Sequence, residues 1–402
     1  MIRYWGDRFQ FTMNILLLAL IVCCCNSLSA ASDARFFSGS TIPIFVGAGD
    51  QGRLGFNGVF DPVHNRFLAV WSNEPDVNVA DGNIVGQLVN SDGTLSGGRI
   101  AFSQDSYGVD IKSVFDSSNQ RYMVVWFEGE STTFKNAVFG QIVNSDGALP
   151  GGRITIACSE YYNSVSPEIA FDGYNQKYMV VWVGDLTTPW NIYGQALNSD
   201  GTPYGSVIQI TNYPDYYAAA PKIAFDSVGR RFLVVWGNQY DGCMYGRFVS
   251  SDGTLSANEI DIGSYGLGAS YVPSLAYSPV HQKFLHVWGT RGAQLINADG
   301  SLDGNAISIF QDAIYAIYSV SAAFDNRIEQ FVIYAGVGYP FQGIGAESID
   351  SEGNVSNTIS KVWERTLGLA VAVSGSADTG TLVLWRDSLD YFATYPDIYG
   401  TL

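Results

Sequence analysis

The chain is written in short apolar runs that alternate with polar turns, and one arrangement of runs keeps returning. Residues 167–201 give its clearest copy, PEIAFDGYNQKYMVVWVGDLTTPWNIYGQALNSDG. An apolar run ends at Asp172, a polar turn follows, and Tyr178-Met179-Val180-Val181-Trp182 reads as a buried strand. After a variable polar loop comes a third run, 192–197, closed by the turn pair Asp200-Gly201. Helical periodicity is absent almost throughout, and valine and aromatic residues, which suit a pleated surface, fill the runs. Each copy therefore predicts four strands: A over 168–171, B over 178–182, C over 192–197 and D over 207–210. Strands A and B are apolar at nearly every position, so both faces of each sheet are expected to be covered.

The tryptophan that ends strand B recurs as Trp71, Trp126, Trp182, Trp236 and Trp288, with Tyr334 and Trp385 read as its counterparts in two degenerate copies. Successive spacings are 55, 56, 54, 52, 46 and 51 residues. The aspartate closing strand A recurs as Asp61, Asp116, Asp172, Asp226 and Asp325, with Ser278 and Ser374 in the remaining copies. Asp-Gly turns at Asp92, Asp146, Asp200, Asp252 and Asp299 are strong hairpin signals, because glycine tolerates the positive φ of a tight turn. The repeat predicts an all-β fold: a seven-bladed β-propeller of four-stranded antiparallel blades. The last copy stops at strand C, 398–402, whereas 41–45 reads as a strand D that precedes any A, B or C. The N-terminal strand is therefore expected to complete the last blade and remove the exposed edges. Over residues 36–402 the chain resembles secreted bacterial seven-bladed β-propeller repeat proteins. The resemblance is to an architecture, and an architecture carries no function with it.

The N-terminus changes the picture of where the protein works. Residues 15–25, ILLLALIVCCC, are too short an apolar run to span a bilayer; Arg3 and Arg8 precede them and Ser29-Ala30-Ala31 follow. This is the pattern of a signal peptide over 1–31, with Met1 or Met13 as start, and it predicts a secreted or cell-surface protein, extracellular or periplasmic. Cys23, Cys24 and Cys25 leave lipidation open. No later segment predicts an integral membrane span. The net charge of −17 argues against nucleic acid, whose phosphates are met by Lys and Arg. Cys158 and Cys243 fall in non-adjacent repeats and are expected to stay unpaired.

Candidate chemistry lies in the loops. D-to-A and B-to-C loops share one propeller face, and they are rich in tyrosine and acids. Tyr161, Tyr162, Trp190, Tyr216 and Tyr217 gather on three successive repeats. Aromatic rings beside carboxylates suit a pyranose, whose C–H face stacks while its hydroxyls take hydrogen bonds. The reading is a monomeric, non-catalytic binding protein for a glycan or an extracellular protein. The alternatives are a carbohydrate-active enzyme, hydrolase or lyase, using carboxylates on that face, or a structural surface protein. No spacing singles out a catalytic pair. Three histidines, scattered, offer neither zinc site nor triad, and Asn-Ser-Asp-Gly turns hold too few acids for calcium, so no metal and no cofactor is expected.

Overall fold

Alternating apolar text of this kind folds into strands, and the computed structural model contains strands and turns. It describes residues 42–45, 50–74, 83–103, 107–129, 136–159, 165–184, 190–213, 218–264, 273–288, 292–311, 317–337, 343–356, 360–364, 370–374, 381–387 and 397–401. All of them belong to one unit, Gly39–Leu402. The described strands form seven four-stranded antiparallel sheets. Six follow chain order. Their A strands are Asp50–Asp61, Tyr107–Asp116, Val165–Asp172, Ala218–Asp226, Ser274–Ser278 and Ile317–Asp325. In the seventh, Ala370–Ser374 and Thr381–Asp387 are joined by Asp397–Thr401, which pairs with Ile42–Phe45; Ile42 lies opposite Gly400. The A strands of adjoining sheets lie against one another, Asp50–Asp61 against Ala370–Ser374 included. The architecture is an all-β propeller of four-stranded antiparallel blades.

The core lies between blades. One cluster joins Leu68, Val70 and Ile84 of the first sheet to Tyr122, Val124 and Trp126 of the second. Another joins Ile42, Ile44, Leu382 and Leu384 to Phe67 and Trp71. Trp71, Trp126 and Trp236 are fully buried, which makes the repeated tryptophan a packing residue. Register corrects one marker. Tyr334 faces Ser321 and Ala346, as Val70 faces Asn57 and Gly86, so Ala335 occupies the tryptophan position. Matching on aromatic character alone slides that copy by one residue.

Strand D also begins earlier than its apolar run, at Pro203 rather than 207. The reason is a bulge. Gly205 takes φ +69°, and the buried Gln195 amide donates to the carbonyls of Ala196 and Tyr204, filling the gap in the ladder. Gln87, Gln141 and Gln294 do the same in their sheets.

The aspartates closing strand A are turn caps. Asp116 Oδ1 accepts from the Ser118 and Asn119 N–H groups, and Oδ2 accepts from the hydroxyl of Tyr178 in the next blade at 2.8 Å. Tyr178→Phe removes that bond from a fully buried carboxylate. It is expected to destabilise the fold by about 1.5 kcal/mol, read from the urea midpoint at unchanged slope. Among the cations preceding strand B, Arg66 and Lys283 reach the next blade's C-to-D turn, donating to Ser145 O and Ser351 O, whereas Lys177 donates to Asn198 Oδ1 within its own blade. Cys158 and Cys243 are free thiols in different sheets.

Candidate functional site at the channel collar

Strand A is the innermost strand of each blade, so its side chains decide what the central channel presents. Register picks out one position, the partner of Val70, Val125, Val181, Val235, Val287, Tyr334 and Leu384. It holds Asn57, Lys112, Glu168, Lys222, Ser274, Ser321 and Val371. Charge therefore occurs in three successive sheets and at none of the other four positions. Two of the uncharged residues show what the fold asks of the position. Asn57 Oδ1 accepts from Ser113 N at 3.0 Å, and Ser274 Oγ accepts from Ala322 N at 2.9 Å, each tying its strand to the next.

The charged three do something different. Lys112 Nζ lies 3.2 Å from Glu168 Oε1, and Lys222 Nζ hydrogen-bonds the same oxygen from the other side. The side chains are only 26%, 12% and 20% exposed for Lys112, Glu168 and Lys222. Burial alone would raise the Glu168 pKa, but its two lysines outweigh burial and hold the carboxyl below the usual range. Burial would also lower Lys112, yet Glu168 and Asp110 carry it above the ordinary lysine value. For Lys222 burial prevails, with repulsion from Lys112 added, and its pKa falls. The trio thus combines a carboxylate that stays ionised with an ammonium that gives up its proton more readily than most.

Backbone strain accompanies the cluster. Two residues before each charge, Asp110, Ser166 and Ala220 adopt φ of 53°, 59° and 45°, and the A-to-B register slips there. Left-handed non-glycine residues cost about 1 kcal/mol each and persist where surroundings impose them, often at functional sites. These bulges touch around the axis. Asp110 Oδ2 accepts from Ser166 N at 3.2 Å, and a Cβ on Gly55 (φ +140°) would come within 3.3 Å of Asp110 N. Behind Ser274, His286 is wholly buried. Its Nδ1 lies 3.1 Å from Ser274 O and so carries the proton, leaving Nε2 without a hydrogen-bond partner. Burial lowers its pKa to about 4.

Of the aromatic residues expected to form a site, Tyr161, Tyr162, Tyr216 and Tyr217 lie outside the described residues. Trp190 is half-buried, packs on the apolar cluster around Trp236, and accepts from Ala218 N through its carbonyl. What the described residues bring together is charge, which the repeat reading passed over. A signal was present: Pro167-Glu168-Ile169-Ala170-Phe171-Asp172 and Pro221-Lys222-Ile223-Ala224-Phe225-Asp226 differ only at the charged residue. Among the described residues, no three His, Cys, Asp or Glu side chains converge as a metal site, and no helix is long and apolar enough to cross a membrane.

No protein-family model and no curated protein matches this chain. Solved structures with similar folds include the GH93 α-L-arabinofuranosidase of Fusarium graminearum, in complex with arabinobiose. It has a TM-score of 0.53 at 13% identity, over 77% of this chain and 97% of that one. The α-L-arabinanase of Penicillium chrysogenum, also with arabinobiose, gives 0.51 at 10% identity, over 90% and 98%. Raptor of Chaetomium thermophilum gives 0.54 at 10%, over 92% of this chain but 29% of its own. At such identities the likeness is one of fold alone.

Proposed function

We propose that this protein is a carbohydrate-active enzyme, a glycoside hydrolase or lyase, working at the mouth of the channel on the face of the D-to-A and B-to-C loops. The observation that carries the reading is the Lys112–Glu168–Lys222 trio, placed at a position where four other blades need no charge. Desolvating charges without structural need is costly, and such clusters concentrate where chemistry is done. A purely binding surface asks for aromatic platforms; the described residues instead converge a carboxylate and two ammonium groups, the chemistry of a base and a proton donor. This is why the enzyme reading replaces the non-catalytic one. Two of the similar propellers are an arabinofuranosidase and an arabinanase, which supports the glycan as partner.

In this reading Glu168, held ionised, is the base or the counter-charge to positive charge developing at a sugar carbon. Lys222 is the proton donor to the departing oxygen. Tyr161, Tyr162, Trp190, Tyr216 and Tyr217 supply stacking platforms on the loops around the mouth. The seven sheets act as a seven-bladed ring, locked where 42–45 pairs with 397–401. The mature domain spans 36–402, is exported after loss of 1–31, and acts outside the cell as a monomer.

The test is turnover by the mature chain on a panel of plant and bacterial polysaccharides, read both as new reducing ends and as the absorbance of unsaturated products. Glu168→Gln is expected to lower turnover at least about 100-fold on any substrate found. Binding without turnover on every glycan would return the protein to the binding class.

A further inference from the structure

We infer that the sugar taken at this site carries a carboxylate: a uronic-acid residue, held with its two carboxylate oxygens across Lys112 and Lys222. The inference rests on the carbohydrate reading above and names its substrate class. An ammonium has three donors. Each of these lysines directs one at Glu168 Oε1, and none of the described hydrogen bonds uses the others. Because both lysines reach one oxygen, their ammonium groups converge, and their remaining donors can meet the paired oxygens of an incoming carboxylate. The hydrogen-bonded trio carries one net positive charge. Asp110 offsets it at longer range while its Oδ2 is engaged by Ser166 N. In a chain of net charge −17, a lysine pair facing the channel is a local exception that favours an anion.

The collar is uneven in side-chain size. Asn57, Lys112, Glu168 and Lys222 line one side of the collar with long side chains, whereas Ser274, Ser321 and Val371 occupy the same position on the other. A pyranose entering on the side of the shorter residues meets the lysines with its carboxylate. Neutral sugars would leave those donors with hydroxyl oxygens alone, a weaker match than a charge-assisted pair.

Titration calorimetry with the full mature chain tests this, using galacturonate and mannuronate trisaccharides against the matched galactose and mannose trisaccharides. At least one acidic trisaccharide is expected to bind about tenfold tighter than its neutral partner. That preference should shrink as salt rises from about 50 to about 500 mM. Lys112→Met and Lys222→Met should each weaken the acidic ligand about tenfold and the neutral one far less, so that the acidic preference collapses. Glu168→Gln, which removes the resident competitor, should bind the acidic ligand more tightly, a gain that a merely structural ion pair would not give. Equal or tighter binding of the neutral sugars, or weaker binding of the acid by Glu168→Gln with its melting temperature retained, overturns the inference. Cleavage of neutral glycans with no acidic preference sinks this inference and keeps the enzyme. Acid-selective binding without turnover of any glycan keeps this inference and sinks the enzyme.

Discussion

Lowering the pH from 6.5 to 4 is expected to cost the fold about 3 kcal/mol through His286 alone. The imidazole is buried with no exposure, and its pKa is pushed down to about 4 from an ordinary 6.5. Between those values the unfolded chain binds a proton that the native chain refuses. Stability is therefore complete above about 6.5 and falls as pH drops toward 4, where the native ring finally charges. The cause is geometric: Nδ1 donates to Ser274 O, Nε2 meets no partner, and Lys222 adds repulsion. Carboxylates held below their usual range, such as Glu168, contribute stability that is lost only at lower pH, as their own depressed values are passed. His286→Leu should flatten the melting-temperature profile over this window and leave the more acidic limb in place. A mutant profile that parallels the parent would show that the histidine does not carry the loss.

Trp126→Ala is expected to destabilise the protein by about 3–5 kcal/mol, measured by urea unfolding. The indole is fully buried and sits in the cluster joining the first two blades, edge-on to Phe102 at 6.4 Å and tilted against Phe139 at 6.2 Å. Its Nε1 donates to Glu128 Oε2 at 3.0 Å, and Glu128 Oε1 holds Arg153 at 2.7 Å. Alanine would leave a cavity between blades and an orphaned carboxylate oxygen at once. Trp126→Phe keeps most of the apolar contact and loses the N–H, so its cost should stay near 1–2 kcal/mol, about one hydrogen bond to a charged group. Equal costs for the two variants would mean that the polar arm, not packing, is what the indole supplies.

These residues also show what could be read without coordinates. The tryptophan series was legible because burial demands the same bulky residue in copy after copy, and the Asp-Gly turns because a positive φ demands glycine. Tyr334 was misplaced because an aromatic ring one position away satisfies the same eye while register places it on the other face. The glutamines after Gly86, Gly140 and Gly194 were visible but mute, since nothing in a strand pattern announces a bulge that an amide must fill. Lys112, Glu168 and Lys222 were harder still. They are 56 and 54 residues apart in the chain, and only the ring brings them onto one oxygen. The loop tyrosines remain a sequence proposal, while the collar came from geometry.

A hydroxyl from the next blade reaches four of the capping aspartates, Asp61, Asp116, Asp172 and Asp226, and this has a consequence for how such a protein can change. Tyr122 serves Asp61, and Tyr178 serves Asp116. The fourth blade has Phe232 where those tyrosines stand, and Ser251, from its C-to-D turn, bonds Asp172 instead. The fifth has Phe284, and Tyr277 on its A strand serves Asp226. Three different donors fill one vacancy. What is repeated is the joint, and the residue that makes it is interchangeable. A copy can therefore drift out of recognition letter by letter while still fitting its neighbours, and whole units can be traded between positions provided each brings one hydroxyl to the aspartate before it.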